Sequence, residues 1–541
     1  MEEHRPQPRP LPGLAMVGFV LAGATLRLWN LRNQVLGGDE LHAVRAADAW
    51  PLSKILTRYS LVDYSLPITA FHRLLLDLGV TLAEIDFRLP SILCGLLALI
   101  MLPRAFSGRV ERFPVELFGW LLALSPAFVL YSRIARSYLP MVLLSFAAVM
   151  TFERWWNGGS RRAGISYVVL GALAVWVHLG AGPIVAAPFL FALGDLVRTR
   201  AWRRLKDLFL LGAGLALAMA AYLVPAAPSL LRLIGNKHRE VDIPLQTVGA
   251  VLRMQAGTRS WTLTALFWAA ALTGLVLLLR RHPRIGLFTL TVTAGHVAGI
   301  LLLSPLGLNH PIVLNRYLLP VLPFVFLWVA VAIGRAWINR SGLLGMGLQR
   351  SAARFFILFL FWTGPFLAAG YRDSSFMHHN DFVGYFSPLS SIPAEVVPAI
   401  YRNLPRGPVV EYPWSTVWEQ NRTFYIYQLV HERRVIVSAP FDVPRKGIDL
   451  RNEVEPEPAA LLASPGWTLI VHLRLPWEED RVVIPGRPFT KPMPTRLRRY
   501  YRRMGERLAA RLHAEWGPAD HSDKLVRVWD LERVRKAKAG R

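Results

Sequence analysis

The strongest constraint in this sequence is a succession of apolar runs, each near the length of a bilayer-crossing helix, separated by short basic links. The hydrocarbon layer needs about 20 mostly apolar residues per helix. About eleven runs approach that length, at 11–29, 87–106, 113–132, 138–155, 163–179, 181–198, 207–228, 261–279, 285–304, 317–335 and 354–370. A chain of 541 residues would otherwise suggest several soluble domains of roughly 150 residues each. Its composition opposes that division: 53% of residues are hydrophobic and 18% charged, against about 25% charged in soluble domains. Disorder is excluded by the same abundance of apolar surface. Cys94 is the only cysteine, so no intrachain disulfide forms. The first run ends in Arg27, Trp29 and Asn30 where an export signal would place a cleavage site. It reads as an uncleaved first helix with a cytoplasmic amino terminus.

Charge orders these runs. Links 103–113, 153–162, 198–206, 280–284 and 334–354 are all basic, whereas 30–86, 132–137, 229–260 and 305–316 are less so and richer in Pro, Asp, Asn and His. The positive-inside rule places the first set in the cytoplasm and the second outside. The net charge of +26 thus sits between spans rather than along one polar face, and no nucleic-acid partner is expected. Residues 66–80 are short and carry His72, Arg73 and Asp77. They are expected to lie on the outer surface as an interfacial helix, with 43–59 beside them.

Beyond residue 370 no apolar run of 18 residues remains. Strand patterns at 409–412, 435–438, 468–472 and 524–531 alternate with helical ones at 416–431, 458–463 and 495–516, the mark of a small α/β domain. The expected fold class is therefore a polytopic α-helical membrane protein over 1–370, with a first outer loop at 30–86. A C-terminal extracytoplasmic α/β domain over 371–541 follows, the whole in a bacterial inner membrane.

The first outer loop opens with Gly37-Gly38-Asp39-Glu40. Paired carboxylates beside a bilayer are costly unless solvated or used. The ordinary reading is a helix cap, with Asp39 accepting a backbone N–H and Glu40 in the first turn; an aspartate can cap and still present its second oxygen.

A first helix ending RLWNL, then GGDE, then an amphipathic outer stretch resembles the GT-C membrane glycosyltransferases. The similar branch is that of the protein O-mannosyltransferase and aminoarabinose transferase, glycosyltransferase family 39. Further stretches fall in the family's order: Phe87-Arg88-Leu89-Pro90-Ser91, Leu124-Ser125-Pro126 with Tyr131 to Tyr138 (YSRIARSY), and Asn315-Arg316-Tyr317-Leu318-Leu319-Pro320. Two positions depart from the pattern. Asp63-Tyr64-Ser65-Leu66-Pro67 stands where His-Pro-Pro is frequent, and Ile134 where an acidic residue or Gln is.

The resemblance implies transfer of a sugar from a polyprenyl-phosphate donor to the hydroxyl of a glycan, lipid or protein acceptor, with inversion. It gives Asp39 the role of general base, with Glu40 orienting it or exchanging roles. Arg316, Arg133 and Arg136 are candidates to hold the donor phosphate as its charge develops; their ordinary role would be snorkelling to lipid headgroups. Asp63, Tyr64, His178, His310 and Tyr317 complete the candidate substrate-binding set, and the outer loop at Lys237, His238 and Arg239 is a further candidate to close over the donor. Carboxylate and imidazole suit several divalent ions, but no two of these groups stand at a metal-motif spacing, so no metal or other cofactor is expected. In the tail, His431 and His472 read as structural, and Glu411-Tyr412-Pro413 as a strand end where ligands often sit. The alternative reading is a catalytically silent GT-C-like scaffold that binds lipid or a partner. A transporter is disfavoured, since internal repeats and charged, broken midplane helices are missing from the sequence.

Overall fold

The computed structural model describes residues 13–29, 31, 46–47, 50–59, 66–80, 84–237, 242–258, 260–338, 351, 357, 399–402, 404, 409–412, 435–436, 457–463, 467–474 and 495–540. Its chain divides into two compact units, the second formed mainly by the C-terminal residues from His379 onward.

The first unit is helical. In chain order it comprises α1 (Gly13–Leu28), α2 (Leu52–Thr57), α3 (Leu66–Asp77), α4 (Glu84–Phe106), α5 (Arg112–Leu124), α6 (Pro126–Ser132), α7 (Tyr138–Gly158) and α8 (Arg161–Val177). Then come α9 (Gly182–Thr199), α10 (Leu205–Lys237), α11 (Leu245–Ala256), α12 (Trp261–Arg281), α13 (Pro283–Leu303), α14 (Pro311–Leu318) and α15 (Leu322–Ile338). Among the described residues six helical stretches are long and apolar enough to cross a membrane, or seven if the bent pair α5–α6 is one span. Helices α1, α7 and α8 stand where spans are expected but fall outside that length-and-hydropathy count. The expected run at 354–370 lies almost wholly outside the described residues. α2 and α3 are helical, as their sequence predicts.

The α5–α6 break has a local cause. Pro126 has no N–H to give the Leu122 carbonyl and turns the chain by 54°. Ser125 caps the new helix, its hydroxyl accepting from the Phe128 N–H at 3.4 Å. The exposed carbonyls are then taken by a fully buried arginine. Arg27 Nη2 donates to Leu122 O at 3.1 Å, Nη1 to Ala123 O at 3.1 Å and Gly23 O at 2.9 Å, and Nε to the Ser132 hydroxyl at 3.1 Å. The guanidinium has five donors, and α1 is thereby stitched across the kink.

The sequence predicts the seventh run to end near residue 228, yet α10 continues to Lys237 through Pro225 and Pro228. At about 1.5 Å per residue it exceeds the roughly 30 Å hydrocarbon layer by a wide margin. Tertiary packing holds the extension. Ala226 and Leu233 bury against Tyr59 and Leu66, and the Tyr59 N–H donates to the Ser229 hydroxyl at 3.0 Å.

At one end of the helices the basic links close on a few acids. Arg109 pairs with Glu153 at 2.5 Å. Asp195 accepts from Trp156 Nε1 at 3.0 Å and Arg198 at 2.9 Å. Glu111 meets Arg335 and, at 3.7 Å, His282. All five basic links thus contribute to this end. Trp156 and Tyr138 terminate opposite ends of α7, so the 131–138 turn belongs to the other end.

The second unit is a mixed sheet in the order β2-β1-β3-β5-β4, with β1 Val409–Tyr412, β2 Val435–Ile436, β3 Thr468–His472, β4 His521–Ser522 and β5 Val526–Asp530. β1 runs parallel to β2 and β3, and β5 antiparallel to β3 and β4. β1 and β3 are buried throughout, which matches their apolar runs. Helices α16 (Pro458–Leu462), α17 (Thr495–Trp516) and α18 (Leu531–Ala539) complete the unit. Tyr501, Met504, Leu508 and Leu512 form the buried stripe of α17, and Arg499, Arg503 and Arg507 are exposed away from it. The expected strands and the helices at 458–463 and 495–516 are present within a residue or two. The predicted helix at 416–431 lies outside the described residues.

Candidate functional site

Three segments meet at the end of the first unit opposite the basic links. The α6–α7 turn supplies Tyr131, Arg136 and Tyr138, the end of α8 supplies His178, and α14 supplies Asn315, Arg316 and Tyr317. Tyr138 is the hub. The Arg316 guanidinium carbon lies 5.4 Å from its ring centroid and that of Arg136 at 6.0 Å, within reach of a cation–π attraction. Tyr131 meets the same ring edge-on at 5.1 Å, and His178 approaches at 5.7 Å. His178 in turn touches the Tyr317 ring at 5.9 Å. The Arg316 and Asn315 side chains also approach the Tyr131 hydroxyl.

Local sequence sets each position. His178 ends α8, and its Nδ1 accepts the Gly180 N–H at 3.0 Å across a 3-10 turn. That acceptance requires the proton to sit on Nε2 in the neutral ring. A Cβ on Gly180 would meet His178 Nδ1 at 2.9 Å and Tyr317 Cδ1 at 3.0 Å, so glycine is what lets the two rings close. α14 gives way to a 3-10 turn at Leu319–Val321. The carbonyl of Tyr317 there accepts from buried His296, whose Nε2 is 2.7 Å away.

Of the residues singled out from the sequence, Arg316, Arg136, His178 and Tyr317 come together here. Arg133 turns to the end of α1, donating to Leu26 O at 2.8 Å and Trp29 O at 2.7 Å, a helix C-terminus that favours a cation. His310 is at the far end of α14 from Arg316, in the N-cap position. Asp39, Glu40, Asp63, Tyr64, His238 and Arg239 lie outside the described residues. Tyr138, Tyr131 and Asn315 were not singled out as site residues, though the aromatic–arginine spacing of YSRIARSY and the NRY triplet carried the signal. No group of three metal-binding side chains occurs among the described residues.

Chemically the cluster is a pair of guanidinium groups set against aromatic faces at a helix end. Arginine forks match the oxygens of phosphate. Arg136 is 9% exposed and Arg316 partly buried, and low surrounding dielectric strengthens their field.

In the second unit Glu411 is fully buried, not facing a ligand at a strand end as its position suggests. Its Oε2 lies 2.5 Å from His472 Nε2, and its Oε1 accepts from the Tyr401 hydroxyl at 2.8 Å. The trio satisfies its own polar groups inside the core, in keeping with a structural His472.

No protein-family model matches the sequence, and no curated protein does. Among solved structures the chain is similar to ArnT from Cupriavidus metallidurans in the apo state, at 14% identity and TM-score 0.48, covering 78% of this chain and 85% of that one. The same protein bound to undecaprenyl phosphate gives 14% identity and TM-score 0.47, over 78% of this chain and 86% of that one. The archaeal oligosaccharyltransferase AglB from Archaeoglobus fulgidus, in complex with an inhibitory peptide and a dolichol-phosphate, gives 13% identity and TM-score 0.43, over 85% of this chain and 69% of that one.

Proposed function

We propose that the chain is a membrane glycosyltransferase that moves a sugar from a polyprenyl-phosphate donor to an acceptor hydroxyl on the outer face of the membrane. The observation that carries this reading is the convergence of Arg316 and Arg136 on the Tyr138 ring, in the two stretches where the sequence resembles GT-C enzymes. In the proposed reaction the acceptor oxygen attacks the anomeric carbon from the face opposite the phosphate. Its proton passes to the Asp39 carboxylate, with Glu40 orienting that group, while the carbon–oxygen bond to phosphate breaks and polyprenyl phosphate departs. Arg316, with Arg136 behind it, takes up the charge that grows on the leaving phosphate, an interaction stronger in the transition state than before it. The basic links then face the cytoplasm, and residues 371–541 form an extracytoplasmic domain by helix parity.

The test uses the full chain in nanodiscs and a panel of undecaprenyl-phosphate sugars, reading release of undecaprenyl phosphate. Asp39→Asn should lose about 10²–10⁴-fold in rate with thermal stability nearly unchanged, because Asn caps a helix as well as Asp. Arg316→Ala should cost about 2–4 kcal/mol of transition-state stabilisation. Full turnover in both variants overturns the mechanism. A wild type that consumes no donor in the panel supports the silent-scaffold reading instead.

A further inference from the structure

A second charged site lies in the C-terminal unit, where the chain leaves β3 beside the β4–β5 turn and the middle of α17. The cleft measures about 540 Å³ and is lined by Arg474, Arg502, Lys524 and Arg527 against Glu506 and Asp523, a size common for small-molecule sites. The two acids are not equivalent. Asp523 is engaged by its own turn: its Oδ1 accepts from the Leu525 N–H at 2.6 Å and the Val526 N–H at 2.8 Å, and its Oδ2 lies 3.2 Å from His521 Nε2. Burial pushes its pKa up, but these amides and His521 hold it below the usual range. Its negative charge is thus largely answered within the turn.

Arg527 is fixed as well, donating to the carbonyl of Asp523 and, at 3.1 Å, to that of Val526. Arg474 and Lys524 are exposed, and among the described residues neither forms an ion pair. Among the described residues lining the cleft, Glu506 remains as the one opposing charge that the turn does not engage. The cleft therefore combines an anchored guanidinium, the half-buried Arg502, two solvent-facing cations and a serine hydroxyl at Ser522, with room for several non-hydrogen groups.

We infer that this cleft binds a phosphate-bearing anion of up to sugar-diphosphate size. Arginine recognises phosphate oxygens through paired N–H donors, and lysine adds a point charge. The site stands apart from the transferase reading and does not rest on it. A soluble phosphate ester and a lipid headgroup share this chemistry, and the test separates them.

The full chain is placed in phosphatidylcholine nanodiscs and titrated with inorganic pyrophosphate by calorimetry at two salt concentrations. One saturable site is expected, weaker at higher salt. Arg474→Gln and Lys524→Gln should each weaken it by up to about fivefold, the scale of one solvent-exposed ion pair. Glu506→Gln should tighten it about twofold by removing the opposing charge, a gain that misfolding cannot imitate. Arg316→Ala should leave it unchanged, which separates it from the cluster in the membrane unit. If pyrophosphate fails but phosphatidylglycerol vesicles capture the wild type better than the Arg474→Gln/Lys524→Gln double variant, the phosphate comes from lipid. No binding of either probe, or binding indifferent to these variants, overturns the proposal.

Discussion

Replacing Tyr138 by leucine removes the aromatic face that organises the membrane-side cluster while keeping its bulk apolar. Two guanidinium groups lie within about 6 Å of that ring, Arg316 at 5.4 Å and Arg136 at 6.0 Å. Each such contact is worth roughly 0.5–1 kcal/mol, more when desolvated. The edge-on pair with Tyr131 at 5.1 Å adds about 0.5–1.5 kcal/mol. These terms overlap, and about 2 kcal/mol is a fair sum for the loss of arginine placement, or about 30-fold in affinity. Tyr138→Phe keeps the ring, and the described structure gives the Tyr138 hydroxyl no hydrogen bond to lose, so phenylalanine should stay within about twofold of wild type. The assay is native mass spectrometry of the full chain with undecaprenyl phosphate, beside a thermal melt. The reasoning fails if leucine and phenylalanine bind alike, or if leucine weakens binding only in proportion to lost stability.

Two further outcomes follow from packing and charge away from the cluster. A Cβ on Gly274 would lie 2.5 Å from the carbonyl carbon of Trp328 and closer still to its oxygen, so Gly274→Ala must part α12 from α15. It should cost about 2–4 kcal/mol as an overpacked helix contact, whereas Gly194→Ala, with nothing within 4 Å, should be neutral or slightly stabilising in a melt. Glu111 has its pKa lowered from 4.5 to about 2 by nearby His282, 3.7 Å away, against an opposing push from burial and with added help from the Arg335 ion pair. Since the folded value lies below the unfolded one, the stabilisation is full above about pH 4.5 and fades as pH falls toward 2. After discounting for its partial exposure the contribution is about 1 kcal/mol. The melting gap between wild type and Glu111→Gln should therefore narrow from about pH 6 to pH 3, and a gap that ignores pH would contradict the clamp.

Much of this architecture is readable from local pattern. Run length placed most of the helices, and alternation placed β1, β3 and β5, because each rests on residues near in sequence. The prolongation of α10 through Pro225 and Pro228 is not readable that way. It depends on Tyr59 and Leu66 packing against it from the segment between α1 and α4. Arg27 reads as a residue that follows the first span, yet Pro126, distant in sequence, makes it a buried cap by freeing the Leu122 carbonyl. The pairing of Glu411 with His472 needs the β1–β3 register, which no single strand reveals. The site divides likewise. Arg316, Arg136, His178 and Tyr317 are legible as polar residues at helix ends, while Tyr138 as their hub emerges only when α7, α8 and α14 converge.

The central claim is that a lipid-linked phosphate docks on Arg316 beside the Tyr138 ring. Electron cryomicroscopy of the full chain in nanodiscs with undecaprenyl phosphate tests it most directly. The account predicts phosphate density within hydrogen-bonding distance, about 3 Å, of the Arg316 guanidinium, on the end of the helices that carries His178. Phosphate density elsewhere on the first unit, or an Arg316 side chain directed to bulk headgroups with no bound lipid phosphate, would contradict it.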